Sequence, residues 1–144
     1  MKSKILFSII FILGLIAVIF YGYLKATPPA VSNENAPKIE ISPASYDFGQ
    51  VDFGKIIDYT FKVKNSGQEV LEIKRIATSC GCTTAKASKT SLNPGEETDL
   101  LVIYDTAAMG SGPHGTGNQE RIIYIKTNDP NTPQINVSIS AYVK

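Results

Sequence analysis

The sequence predicts an all-β domain built from two packed sheets, preceded by one N-terminal transmembrane helix. Three features predict it: an uncharged apolar run near the start, a two-residue hydrophobic period downstream, and turn residues between the periodic segments.

Ile5 to Leu24 carry no charged side chain, with Lys2 and Lys4 before them and Lys25 after. A helix of that length covers about 30 Å, the hydrocarbon thickness of a bilayer. The run exceeds the usual signal-peptide core of roughly 7–15 residues, and Leu24-Lys25-Ala26-Thr27-Pro28 offers no small-x-small cleavage site. An uncleaved anchor is therefore expected, with secretion after cleavage as the alternative. Lys2 and Lys4 keep the N-terminus cytoplasmic, which places the domain in the periplasm or outside the cell. The chain divides into an anchor (1–25), a Pro- and Asn-rich linker (26–37) and a folded domain (38–144).

Strand patterns begin at Ile39 and Ile41. Ile57, Tyr59, Phe61 and Val63 alternate with Asp58, Thr60, Lys62 and Lys64, and Asn65-Ser66-Gly67 makes a turn. Leu71 and Ile73 form the next pattern. Asn93-Pro94-Gly95-Glu96 turns the chain into Leu100, Val102 and Tyr104. Ile123 and Ile125 precede a turn at Asn128-Asp129-Pro130. Ile135, Val137, Ile139, Ala141 and Val143 then give the clearest strand. About seven strands in some 105 residues, most with one polar face, fit an immunoglobulin-like two-sheet sandwich. That length supports one core.

Cys80-Gly81-Cys82 holds the chain's two cysteines. On an extended segment, residues i and i+2 share a face with Cα atoms roughly 6.7 Å apart, the upper edge of the disulfide range. A bridge closing so small a ring is worth roughly 1.6 kcal/mol, against about 3 for a 15-residue loop. Three readings stay open: a local bridge or thiol pair that shapes a turn, a redox pair, or a soft-metal site. Zinc wants four ligands. Cys80 and Cys82 with Met109 and His114, both in the loop Thr106 to Asn118, form a donor set better suited to Cu(I).

Other classes are disfavoured. Residues 26–144 hold eleven basic and thirteen acidic groups, a balance that argues against nucleic acid. Gly110-Ser111-Gly112-Pro113-His114-Gly115 matches a dinucleotide motif literally, yet it leads into a strand pattern instead of a helix. His114, the single histidine, lies in that glycine-rich loop, a poor support for a catalytic base. No catalytic residues, and so no enzyme, are expected.

The order of signatures resembles a known family. Tyr46-Asp47-Phe48-Gly49-Gln50-Val51 is followed by Phe61-Lys62-Val63-Lys64-Asn65-Ser66-Gly67, then Ser79-Cys80-Gly81-Cys82-Thr83. Leu92-Asn93-Pro94-Gly95-Glu96 and Thr127-Asn128-Asp129-Pro130 complete it. Over Ile39 to Val143 the chain is similar to the bacterial family known as domain of unknown function 1573, and to Hydin-like and major-sperm-protein-like sandwiches. The resemblance implies an exported immunoglobulin-like sandwich and brings no reaction or ligand. The loop 107–118 is longer and richer in glycine than the short turn expected there.

The function expected is a membrane-anchored, extracytoplasmic binding or scaffolding module with another envelope protein as partner and no cofactor. The alternative is a thiol redox or copper-binding protein using Cys80 and Cys82.

Overall fold

A computed structural model describes residues 12–23 and 35–144. Residues 12–23 are helical, and Ile12, Leu13, Leu15, Ile16, Val18, Ile19 and Phe20 are all exposed on that helix. Twelve helical residues cover about 18 Å. Among the described residues, no helix is long and apolar enough to cross a membrane. The flanking parts of the expected anchor, Lys2 to Phe11 and Leu24 to Lys25, lie outside the described residues, as does most of the linker.

The second unit, Asn33–Lys144, is a sandwich of nine strands: β1 (Ile39–Ser42), β2 (Ser45–Val51), β3 (Ile56–Asn65), β4 (Leu71–Thr78), β5 (Thr83–Ala87), β6 (Ser91–Leu92), β7 (Glu97–Asp105), β8 (Gly117–Thr127) and β9 (Gln134–Val143). One sheet has the order β1-β3-β7-β5 and the other β2-β9-β8-β4-β6. All pairings are antiparallel except β2 with β9.

Nine strands replace the seven or so expected. β2 is exposed along nearly its whole length, so it shows no apolar alternation, and β6 is two residues long. β5 reads Thr-Thr-Ala-Lys-Ala, too small and polar to mark a strand. β8 starts at Gly117, so Asn118 belongs to a strand and not to the preceding loop.

Strand alternation aims the core. Phe61 and Val63 of β3, Leu100, Val102 and Tyr104 of β7, Ile123 and Ile125 of β8, and Val137, Ile139 and Val143 of β9 are each at most 2 % exposed. Each such side chain contributes roughly 1.5–3 kcal/mol relative to exposure. Tyr46 of β2 stacks on Tyr59 of β3 with ring centroids 3.7 Å apart, tying the edge of one sheet to the other.

The turns are fastened by buried polar groups. Asn65, fully buried, donates to the carbonyls of Glu69 and Leu92 at 2.8 and 2.9 Å and accepts the amides of Lys38 and Gly67. Gly67 packs against backbone: a Cβ there would lie 2.3 Å from the Ala36 carbonyl oxygen.

Candidate functional site: the cysteine turn and its arginine

Cys80-Gly81-Cys82 makes the turn between β4 and β5, where the chain passes from one sheet to the other. The segment is not extended. Its Cα atoms are 5.3 Å apart instead of roughly 6.7 Å, and Cys80 and Cys82 are joined by a disulfide. The Thr83 amide donates to the Cys80 carbonyl, and the Thr78 hydroxyl lies 3.0 Å from the Cys80 and Thr83 carbonyl oxygens. The Asp105 amide of β7 donates to the Cys82 carbonyl at 2.9 Å. Both ends of the turn are thus anchored, one to each sheet.

The two sulfurs differ in environment. Cys82 is 3 % exposed and belongs to the core, whereas Cys80 is half-buried and faces a surface recess of about 330 Å³. Thr83 Oγ1 stands 3.6 Å from each sulfur. Arg121 Nε donates to Cys82 Sγ at 3.1 Å.

Arg121 is held on every side. Its Nη1 donates to the Glu120 carbonyl at 2.9 Å, and its Nη2 donates to the His114 carbonyl at 2.9 Å and to Gln119 Oε1 at 2.6 Å. The guanidinium carbon lies 5.3 Å from the centroid of the Tyr104 ring, a cation–π distance. Gln119, buried, donates in turn to the carbonyls of Pro113 and Thr116. Arg121 and Gln119 thereby pin the loop between β7 and β8 against the cysteine turn.

That loop closes on itself. Gly115 donates its amide to the Gly112 carbonyl, and a Cβ at Gly115 would meet the Gly110 carbonyl oxygen at 1.7 Å. No helix follows the glycines; β8 does. Met109 and His114 line the same recess as Cys80, together with Ser79, Pro113 and Arg121. The four candidate residues therefore meet at one place, Cys82 through its bridge to Cys80. In the bridged form the sulfurs are bonded to each other and carry no thiolate to give to a metal. Among the described residues, no three His, Cys, Asp or Glu side chains cluster as a metal site.

Sequence reasoning missed Arg121 and Gln119. The signal was present: both fall on the strand face of Ile123 and Ile125, which points into the core. A cation on that face needs acceptors.

A second surface feature follows the cysteine turn directly, at the β5 edge of the domain's first sheet. The bonds from Asp105 N to Cys82 O and from Ser88 N to Asp99 O fix the β5–β7 alternation. Ala85 and Ala87 consequently turn their backbone amide groups away from β7, toward the outer edge of the sheet, where Ala85 is half-buried and Ala87 buried. The other edge of this sheet is capped, since the Ile39 amide of β1 donates to Asp129 Oδ2 at 3.0 Å.

Comparisons agree with this architecture. A protein of unknown function from Porphyromonas gingivalis W83 is 26 % identical, with a TM-score of 0.68 over 81 % of this chain. The chain spans 51 % of that structure's length. PapD-like domain 7 of human CEP192 is similar at 12 % identity and a TM-score of 0.57, covering 82 % of this chain and 92 % of that one. The YadV chaperone is similar at 13 % identity and a TM-score of 0.53, covering 74 % of this chain and 52 % of that one. The last two likenesses concern the fold alone. No curated protein matches the chain. The family model described as protein of unknown function (DUF1573) matches residues 39–143, and the chain belongs to that family.

Proposed function

We propose that this chain is a membrane-anchored binding or scaffolding module of the cell envelope. The observation that carries the reading is the edge strand β5, where the half-buried Ala85 directs its backbone donor and acceptor away from β7. An extended segment of a partner protein pairs with such an edge through main-chain hydrogen bonds. The fold likeness to PapD-like domains supports a binding role by analogy. The apolar run Ile5–Leu24 supports lipid contact, as does the apolar exposure along residues 12–23. On this reading the domain lies in the periplasm or outside the cell.

A photo-cross-linking side chain at Lys86, exposed on β5, tests the edge in the full-length membrane-bound protein. A discrete protein adduct is expected, abolished by Ala85→Pro. Proline there removes an outward donor and leaves the β5–β7 ladder intact. An adduct indifferent to Ala85→Pro, or none at Lys86, contradicts the edge as the docking site.

One observation favours a second reading. Met109 and His114 share a recess with Cys80, so the reduced protein presents soft donors around one opening. Binding of one Cu(I) per reduced chain, lost in Cys80→Ser, tests it; no uptake by the reduced protein contradicts it.

A further inference from the structure

We infer that the Cys80–Cys82 bridge is a thiol–disulfide exchange site, in which Cys80 receives the incoming thiolate and Arg121 stabilises Cys82 as the departing one. The inference is independent of the β5 edge. It rests on the asymmetry of the two sulfurs and on the electrostatic state of Arg121.

Every hydrogen-bond acceptor around Arg121 is uncharged: the carbonyls of His114 and Glu120, the amide oxygen of Gln119, and the bridged sulfur of Cys82. Among the described residues, the salt bridges pair lysines with carboxylates, and none uses Arg121. A guanidinium stays charged at any relevant pH. Here the cation is aimed at a sulfur that is neutral while bridged and anionic once released. Cleaving the bridge supplies its missing counter-charge. A hydrogen bond that becomes charge-assisted on both sides strengthens at that moment, which favours departure of this sulfur.

Access selects the other sulfur for attack. Cys82 is 3 % exposed, behind the turn, whereas Cys80 opens onto the recess lined by Met109, Pro113 and His114. Thr83 Oγ1, 3.6 Å from either sulfur, serves as a donor to whichever becomes anionic. The bridge has little to do as a staple, because so short a ring removes little entropy from the unfolded chain.

The exchange balances with a dithiol partner. A thiolate of the partner attacks Cys80 Sγ, a new sulfur–sulfur bond forms, the Cys80–Cys82 bond breaks, and the electron pair leaves on Cys82 Sγ. The partner's second thiolate then attacks its own sulfur in the mixed disulfide and expels Cys80 as a thiolate. Of the two protons the partner's thiols gave up, one goes to Cys80 and the other to solvent, while Cys82 stays a thiolate against Arg121. The bridge is reduced by two electrons and the partner is oxidised by two; the reverse sequence oxidises the pair again. The substrate class is a vicinal dithiol or disulfide on a protein or peptide segment small enough at its cysteine to enter the recess.

The test uses the full chain in detergent micelles with glutathione as the probe. After brief exposure to millimolar glutathione and quenching with an alkylating agent, peptide mapping is expected to find glutathione on Cys80 and the alkyl group on Cys82. Glutathione on Cys82, or a bridge untouched after hours, overturns the inference. Arg121→Gln is expected to slow reduction at least about tenfold and to shift the glutathione redox equilibrium toward the bridge by a similar factor. Arg121→Lys, which keeps the charge, recovers part of both effects. A purely structural arginine would lower the melting temperature of the oxidised protein and leave those two quantities alone. Wild-type reduction kinetics in a folded Arg121→Gln protein also overturn the inference. Should that variant fail to fold, the site of the glutathione adduct in the unmodified chain decides alone.

Discussion

Asp129 holds the amide of Ile39 at 3.0 Å, across a sequence separation of 90 residues. The carboxylate is 1 % exposed, and its other oxygen accepts the amides of Asn131 and Thr132. One side chain thus shapes the β8–β9 turn and closes the edge of β1. Asp129→Ala removes three acceptor contacts and leaves the Ile39 donor buried. The expected cost is about 3 kcal/mol in denaturant unfolding, with Asp129→Asn less harmful. An unchanged midpoint in Asp129→Ala would mean that the edge is not held by this residue.

Asn65 satisfies two carbonyls and two amides from one buried position, with its NH2 group facing the carbonyls. Asn65→Asp keeps the shape, yet it sets an acceptor against the Glu69 and Leu92 carbonyls and buries a charge. We expect it to destabilise by roughly 3 kcal/mol or more, at least as much as Asn65→Ala. Equilibrium urea unfolding of the three proteins checks the ranking. A milder Asn65→Asp would show that the donor side of the amide is dispensable.

Tyr104 is 2 % exposed and its hydroxyl has no hydrogen-bond partner among the described residues. Removing an unsatisfied buried hydroxyl recovers its desolvation cost while keeping the ring under Arg121. Tyr104→Phe is expected to be neutral or to stabilise by up to about 1 kcal/mol, read as a higher melting temperature. A loss of more than about 1 kcal/mol would mean that the hydroxyl has a partner, such as a bound water.

Glu96 closes the Asn93-Pro94-Gly95 turn. The Lys89 ammonium and the Asn93 backbone amide hold its carboxyl below the ordinary value of 4.5. Because the folded value lies below the unfolded one, the linked stability is fully present above the ordinary value. It is lost as the pH falls through the folded value. Wild type should therefore melt above Glu96→Gln at neutral pH, and the two should converge under acid. Parallel curves across that range would contradict the assignment. The Glu96 side chain is 31 % exposed and its Lys89 partner 49 %, so the difference at neutral pH is small and is reduced by salt.

Much of the sandwich was legible because its inner faces are written as alternation. Leu100, Val102 and Tyr104 all point inward as their spacing requires, and so do Val137, Ile139, Ala141 and Val143. β2, β5 and β6 escaped for a shared reason: edge strands bury one face poorly or are very short, so their residues need not be apolar. At the cysteine turn, the sequence showed the sulfurs and the two loop residues. It could not show that Arg121 bridges them, since that depends on β8 lying beside β4 and on the loop folding back at Gly115. The length of an edge or the direction of a guanidinium is settled by tertiary register, which local periodicity does not encode.

On the proposed reading, this domain works outside the cytoplasm with Cys80 and Cys82 bonded to each other at rest. Acid-quenching intact cells and alkylating the full-length protein before and after a reductant tests both parts at once. Two alkyl groups are expected only after reduction, both mapped to the 80–82 peptide. Complete alkylation without reductant, from cells quenched in growth, would contradict that reading.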